Sequence, residues 1–537
     1  MSTRLPLKTL QLDTFRFTLA LSILLIGAYN LPLWQLVSAQ PQADGPAGTG
    51  FLIGLFLFFV AILNLLFTLL VPRALMRPLA ILILLSAAAI GYYMNTYGVM
   101  IDKSMVQNAL ETDPAEVKEL MTPGLVGWML LFGVLPTLLI TRVSLRRDGW
   151  WRALKLRTLG SLLSLALIGA LLLLQYQSFA SLFRNHREVR HLIVPTNYLY
   201  YGVRTLSGAY AQSDRPLRSI GTDAHVSRTA GSRPRLTVVV VGETARAQNF
   251  SLAGYARDTD PELSRRNVLF FDNVWSCGTS TAVSVPCMFS AQGRDSYDED
   301  SARHTEGLLD VLAHAGIDTL WRDNNSGCKG ACDRIPHESI RSEACDGEEC
   351  FDTEMLRGLD LERSAPHDRV IVLHQKGSHG PAYYKRYPET FRRFTPVCES
   401  AELKSCDLDS IVNAYDNSIL YTDHFLARTI DRLQQVDKEY DTALIYLSDH
   451  GESLGESGLF LHGVPYLVAP EQQKHVPMVI WLSESLTKDL KIDRECLAGH
   501  RHQAYSHDNL FHSVLGLMSV ETAVYRPELD LFRDCTG

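Results

Sequence analysis

Glu243 closes the run Leu236-Thr-Val-Val-Val-Val241-Gly242, and Asp449-His450 closes the run Ala443-Leu-Ile-Tyr-Leu-Ser448. Two carboxylates and an imidazole make a donor set suited to a divalent metal, zinc above all. Between the two runs lies Cys277-Gly-Thr279-Ser280-Thr281-Ala-Val-Ser284-Val-Pro-Cys287. A hydroxyl becomes a competent nucleophile only when a base or a metal lowers its pKa, so a metal beside this stretch would have something to activate. Thr279, Ser280, Thr281 and Ser284 are rivals for that role. If Thr281 begins a helix, the free N–H groups there would also favour a phosphate. Cys277 and Cys287 could close a short loop and hold these hydroxyls rigid. His379, in His374-Gln-Lys-Gly-Ser-His379-Gly, and His462, in Leu461-His462-Gly463, follow the same kind of apolar run beside glycine. Lys329, between Cys328 and Cys332, is a point charge suited to phosphate.

Such side chains need a scaffold that brings them together. Short β-branched runs bounded by glycine or polar residues predict buried strands, and in open α/β sheets ligands gather at the strands' carboxyl ends. Glu243, Asp449 and His450 are therefore expected to share one crevice. All ten cysteines lie between Cys277 and Cys535, which predicts disulfides and an oxidising compartment. No paired CxxC pattern with zinc-finger spacing occurs. A net charge of −8 without a basic tail argues against a nucleic-acid partner.

The first 180 residues are different in kind. Five segments reach the roughly 20 apolar residues needed to cross a bilayer: Phe15–Val37, Gly50–Val71, Leu79–Tyr97, Gly124–Thr141 and Leu159–Tyr176. Arg4 and Lys8, then Arg73 and Arg77, then Arg142 through Arg157 all fall on one side, which the positive-inside rule makes cytoplasmic. Five spans then place the C-terminal part on the opposite face, the periplasm of a Gram-negative-type cell. The first run is too long for a cleavable signal and is expected to stay as an anchor. Residues 181–234 read as an interfacial and bridging region. Tyr and Arg mix with aliphatics at its start, and an exposed polar stretch runs over Ala211–Pro234.

The motifs VVVVGETAR around Glu243, SCGTSTAVSVPCMFS around Thr281, HQKGSHGPAY around His379 and LSDHGESLGESGLFLHG around Asp449 and His462 give the chain a family resemblance. It resembles the lipid A phosphoethanolamine transferases of the Gram-negative inner membrane and the mobile colistin-resistance enzymes, within the alkaline phosphatase and sulfatase superfamily. The resemblance implies an α-helical transmembrane domain of five spans over residues 1–180. It also implies a soluble α/β domain over 235–537, with a mixed sheet sandwiched by helices. Glu243, Thr281, Asp449 and His450 are implied as ligands of one tightly bound zinc, with room for a second ion, and Thr281 as the nucleophile. Lys329, His379 and His462 are implied as phosphoryl or second-metal contacts. Asn108, Thr112 and Glu116 are implied as contacts to the donor lipid; their i, i+4, i+8 spacing puts them on one face of a continuous helix. The implied disulfides are Cys277–Cys287 and Cys398–Cys406, with Cys328–Cys332, Cys345–Cys350 and Cys496–Cys535 as further pairs.

The activity this implies is transfer of phosphoethanolamine from phosphatidylethanolamine to a phosphate of lipid A in lipopolysaccharide, by a monomeric enzyme among inner-membrane lipids. The outcome for the cell would be polymyxin and cationic-peptide resistance. Alternatives are transfer to the core, to Kdo or to another periplasmic glycan, a membrane-anchored phosphatase, and a lipid sensor without catalysis. A sulfatase is disfavoured, because Cys287-Met-Phe-Ser-Ala lacks the C/S-x-P-S-R setting.

Overall fold

The computed structural model describes residues 10–112, 114–212, 215–228, 231–340, 345, 350–361 and 367–537. Two compact units emerge: Met1–Asp102 with Met121–Val203, and Lys103–Leu120 with Arg204–Gly537.

In the first unit, four of the described helices are long and apolar enough to cross a membrane: Gly45–Leu70, Arg73–Tyr97, Pro123–Thr141 and Trp150–Asn185. A fifth span results when the bent pair Thr14–Ala28 and Leu31–Ser38 is taken as one. The expected span Phe15–Val37 is thus corrected from one straight helix to two, meeting at 61°. Pro32 explains the break, since it lacks an N–H and its ring would clash with the carbonyl four residues earlier. The buried Asn30 amide then occupies the gap, donating to Leu25 O and Val194 O and accepting from the Val194 N–H. Of the basic residues expected on one side, Arg4 and Lys8 lie outside the described residues, while Arg73, Arg77 and Arg157 gather at one end. Leu10–Leu12 pairs in parallel with Val143–Leu145, Arg73 donates to Leu145 O, Arg77 to Thr141 O, and Arg157 to Val71 O.

The second unit is built on an eight-stranded sheet: β1 (Arg235–Gly242), β2 (Leu269–Trp275), β3 (Asp318–Asp323), β4 (His337–Ser339), β5 (Arg369–His374), β6 (Asp441–Ser448), β7 (His475–Leu482) and β8 (Tyr505–Ser506). Their order across the sheet is β8-β2-β7-β6-β1-β5-β3-β4. Only β7 of these runs against its neighbours, so the carboxyl ends of the other seven strands lie along one edge. The central strands are buried throughout and mostly apolar because both faces are covered. Val239 and Val241 of β1 face a core shared with Val285, Leu308, Leu510 and Phe511. Leu236, Val238 and Val240 face the other core, with Ile411, Phe425 and Leu426 from the helix Leu408–Gln435. That helix starts where the Asp407 carboxylate accepts the Ser410 N–H at 2.9 Å. The sandwich of helices around a mixed sheet is the expected one.

Most described residues of the polar stretch before β1 are exposed, yet the stretch is tied to the sheet unit. His225–Val226 pairs with Val520–Glu521, and Ala224 enters the core. Five disulfides are present, in the five pairings the resemblance implied.

Candidate active site and metal centre

Register alone assembles the site. Gly242 of β1 lies opposite Ser448 of β6, and Val241 lies opposite His374 of β5, which in turn lies opposite Asp323 of β3. The residues just past these ends, Glu243, Asp449 and His450, are therefore neighbours, and all three are buried. His450 Nε2 lies 3.4 Å from Glu243 Oε1 and 3.3 Å from Asp449 Oδ2.

The Cys277–Cys287 disulfide spans the loop and the eight-residue helix Thr281–Met288. Thr281 is the first helical residue, and the Ser280 side chain does not cap the helix. Thr281 Oγ1 lies 3.1 Å from Glu243 Oε2 and 3.3 Å from His450 Nε2. The rival hydroxyls are occupied elsewhere or stand apart from this contact. Thr279 Oγ1 donates to Val464 O, Ser284 Oγ accepts the Gly278 N–H, and the buried Ser280 Oγ has no hydrogen-bond partner among the described residues.

The donor set fits zinc. The three candidate ligand atoms lie within 4.8 Å of one another. Asp449 Oδ2 is buried and accepts no hydrogen bond among the described residues, an arrangement that favours a cation. His450 Nδ1 donates to Gly451 O at 2.9 Å, which leaves Nε2 as the metal-facing lone pair. The electrostatics agree. Burial opposes charge on Glu243, but the hydrogen bond and charge of His450 outweigh it and hold the carboxyl well below the usual range. Burial first and the Glu243 charge second push Asp449 up to about 6. Burial would lower His450, yet Asp449 and Glu243 carry it up to about 10. Two carboxylates converge on one imidazole here, a cluster whose charge favours a cation bound among them.

His462 stands against this cluster, its ring centroid 4.3 Å from that of His450 and 5.7 Å from that of His379. Burial, then the Lys376 charge, holds His379 well below its ordinary value and so keeps it neutral. Lys329 has a nearly buried side chain at φ +52 in the Cys328–Cys332 loop, and its Nζ meets Glu111. Asn108 and Thr112 do not share a continuous helix. One helix, Lys103–Glu111, ends before Thr112, and a second, Pro114–Glu119, begins after it. Pro114 cannot donate the i→i−4 bond that would carry a helix through this point, and it is well suited to open the next one. Thr112 Oγ1 turns back to Asn108 O at 2.7 Å. The Glu116 side chain lies outside the described residues. The first of these helices does pack beside the site: a Cβ on Gly463, next to His462, would lie 2.5 Å from Met105 Cε.

Comparison with known proteins decides what kind of site this is. Residues 59–210 match the family described as phosphoethanolamine transferase EptA/EptB, and residues 235–520 match the sulfatase family. The chain is 43% identical to phosphoethanolamine transferase EptA of Escherichia coli K12, over 88% of each chain. It is 41% identical to phosphatidylethanolamine transferase Mcr-1 of E. coli, over 87% of this chain and 89% of that one. The solved lipooligosaccharide phosphoethanolamine transferase A of Neisseria meningitidis superposes with a TM-score of 0.94 at 37% identity, covering 98% of this chain and 99% of that one. The chain belongs to the EptA/EptB phosphoethanolamine transferase family.

Within this family member, several residues around the cluster escaped the sequence reading. Asn325 Nδ2 donates to Glu243 Oε2 at 2.6 Å and to Gln375 O at 2.9 Å. Asp323 and His374 pair at 2.9 Å. Glu452 is fully buried between the Tyr383 hydroxyl at 2.5 Å and His462 Nδ1 at 2.8 Å. His507 joins two elements: its Nδ1 accepts the Cys277 N–H at 3.1 Å and its Nε2 donates to Ser448 O at 2.9 Å. Burial pushes His507 down to about 3, so one neutral tautomer ties the Thr281 loop to the end of β6. Asp323 and Asn325 sit at and just past the end of β3, so the strand-end rule would have reached them had that short, mixed strand been recognised.

Proposed function

We propose that this transferase moves phosphoethanolamine from phosphatidylethanolamine to a phosphate of lipid A through a covalent intermediate on Thr281. The observation that carries the reading is the Thr281 hydroxyl, at an uncapped helix N-terminus and in contact with Glu243 and His450. Glu243, Asp449, His450 and the Thr281 oxygen would hold zinc, which when bound lowers the hydroxyl's pKa and offsets charge on the transferring oxygens.

The chain's own residues divide the remaining work. Thr281 Oγ attacks the phosphorus of the donor while Glu243, already its hydrogen-bond partner, draws off the proton. The bond from phosphorus to the glycerol oxygen breaks. His462, with Nδ1 held on Glu452, uses Nε2 to protonate that oxygen and release diacylglycerol. Neutral His379 donates a hydrogen bond to a phosphoryl oxygen. In the second half an acceptor phosphate oxygen attacks the same phosphorus and gives its proton to His462, the Thr281 Oγ–phosphorus bond breaks, and the proton held by Glu243 returns to Thr281. The first-turn N–H groups of Thr281–Met288 favour the phosphoryl oxygens in both halves.

Lipid A is favoured as acceptor over Kdo because identity to EptA is 43%, against 27% to the E. coli Kdo(2)-lipid A phosphoethanolamine 7''-transferase. The periplasmic face is favoured by the one-sided basic residues and by five disulfides in the catalytic unit. The added ammonium would weaken polymyxin binding. Mass spectrometry of lipid A from cells with and without the gene tests the reading. Phosphoethanolamine-bearing lipid A is expected with wild type and absent with Thr281→Ala. Modified core sugar with unmodified lipid A, or free ethanolamine phosphate alone, would overturn it.

A further inference from the structure

The helix Lys103–Glu111 packs against the helix that Thr281 begins, and so does Glu299–Ala302. Where these elements meet, one carboxylate holds two cations. Arg303 Nη2 donates to Glu111 Oε1 at 2.8 Å, and Lys329 Nζ lies 3.8 Å from Glu111 Oε2. Lys329 Nζ also reaches the Glu111 carbonyl oxygen at 3.4 Å, and Gln107 Nε2 donates to Glu111 Oε1 at 3.0 Å. Glu111 Oε2 is buried and accepts no hydrogen bond among the described residues. Beside it a cavity of about 30 Å³ is lined by Pro286 and Phe289 of the Thr281 helix together with Arg303, Lys329 and Arg334. Arg334 is already neutralised by a two-pronged pair with Asp310 at 2.8 and 2.7 Å. Arg303 also lies 3.5 Å from Glu299, but its stronger contact is Glu111.

A carboxylate held by one arginine nitrogen and a lysine occupies donors that could equally take the oxygens of a phosphate group. The lysine is pre-set: its side chain is nearly buried and its backbone is held in the left-handed region inside a disulfide loop. Burying that ammonium without a permanent anion would be unfavourable, and Glu111 supplies one from a neighbouring helix. A phosphate monoester, with more charge and three oxygens, is the stronger ligand for both cations.

We propose that Lys329 and Arg303 form a phosphate subsite beside the Thr281 helix, and that the Glu111 carboxylate fills it until a substrate phosphate displaces it. The inference rests on the transfer reading above and extends it by adding Arg303 as the partner of Lys329 and by naming Glu111 as their internal competitor. The phosphate can come from the donor's phosphodiester or from the acceptor's monoester.

The test uses the full-length holoenzyme, with inorganic phosphate as the probe and the two half-reactions followed separately. Glu111→Gln removes the competing charge and is expected to lower the inhibition constant of phosphate about fivefold, the scale of one partly exposed ion pair. Arg303→Gln is expected to raise it by a similar factor, and Arg303→Lys to restore most of the loss. Slowed adduct formation in Arg303→Gln, with normal discharge to acceptor, identifies the donor phosphate as the occupant; the reverse identifies the acceptor. Either supports the subsite. Phosphate inhibition unchanged in Glu111→Gln, with both half-reactions unchanged in Arg303→Gln, overturns it, and an altered melting temperature alone does not rescue it. If Arg303→Gln does not fold, Glu111→Gln decides. A wild-type enzyme that never forms the Thr281 adduct would instead remove the transfer reading beneath it.

Discussion

The strand ends and the helical segment 103–119 both bring side chains to the catalytic unit, and they do so with very different security. Glu243, Asp449 and His450 inherit their positions from the pairing of β1 with β6, in which every residue is buried. A one-residue slip there would exchange the side chains that fill the two cores on either side of β1, so register is fixed by packing on both faces. Residues 103–119 have no such template. They form two short helices; besides the packing of the first against the Thr281 helix, their described ties to the rest of the unit include the ion pairs of Lys103 with Glu299, Glu111 with Arg303, and Glu119 with Lys385 and Arg386. On the proposed mechanism, the chemistry that must not move is carried by the sheet, and the contacts proposed to yield to substrate are carried by side chains.

Substitutions can sharpen or break that contrast. The largest effect is expected at the strand ends. Asp449→Asn should abolish stoichiometric zinc, read by native mass spectrometry, and lower transfer by at least about 10²–10³-fold. Retained zinc would separate Asp449 from the metal. Next comes Glu119→Ala, which removes one carboxylate from the buried Arg386 guanidinium, whose Nε holds His379 O. Loss of one partner of a buried pair costs about 3–5 kcal/mol. The melting temperature should fall clearly, and an unchanged one would show that the segment is not anchored there. Removing a side chain that supports the cluster without entering it should cost less: Asn325→Ala is expected to weaken zinc binding about 10–100-fold.

His507 gives the comparison a pH signature. It is buried and neutral, with its value depressed to about 3 from an unfolded value of 6.5. Between those values the unfolded chain binds the extra proton, so the stability this group contributes is complete above pH 6.5. It is lost as pH falls toward 3. Thermal unfolding of wild type should therefore weaken more steeply on acidification from pH 6.5 to 4 than that of His507→Gln. Parallel profiles would show that His507 is not neutral in the fold. The smallest effect is expected at Thr112→Ala, whose hydroxyl serves only its own chain at Asn108 O among the described contacts. The loss there should be about 1 kcal/mol or less, with a modest rise in KM for the donor.

The same contrast explains what could be read from the sequence. Glu243 and Asp449-His450 were legible because a run of valines or aliphatics announces a strand, and ligand sites follow strand ends. Thr281 needed the family resemblance, since spacing left four hydroxyls open; the fold then placed only Thr281 in contact with Glu243 and His450. Asn325 was missed because the short strand before it was not recognised, and Glu452 and His507 were not legible because each acts through a partner more than nine residues away in the chain. Two errors had visible signals. Pro32 marked the break in the first span, and Pro114 marked the break between Asn108 and Glu116; both prolines sit where apolar content or spacing alone suggested continuity.

Everything turns on whether Thr281 is carried through a covalent state. Full-length protein in lipid nanodiscs is mixed with phosphatidylethanolamine, quenched on the millisecond scale, and analysed by peptide mass spectrometry. A phosphoethanolamine group on Thr281 is expected to form in step with diacylglycerol release and to disappear when lipid A is added. Diacylglycerol released without any modification of Thr281, or a modification that lipid A leaves in place, would contradict the mechanism.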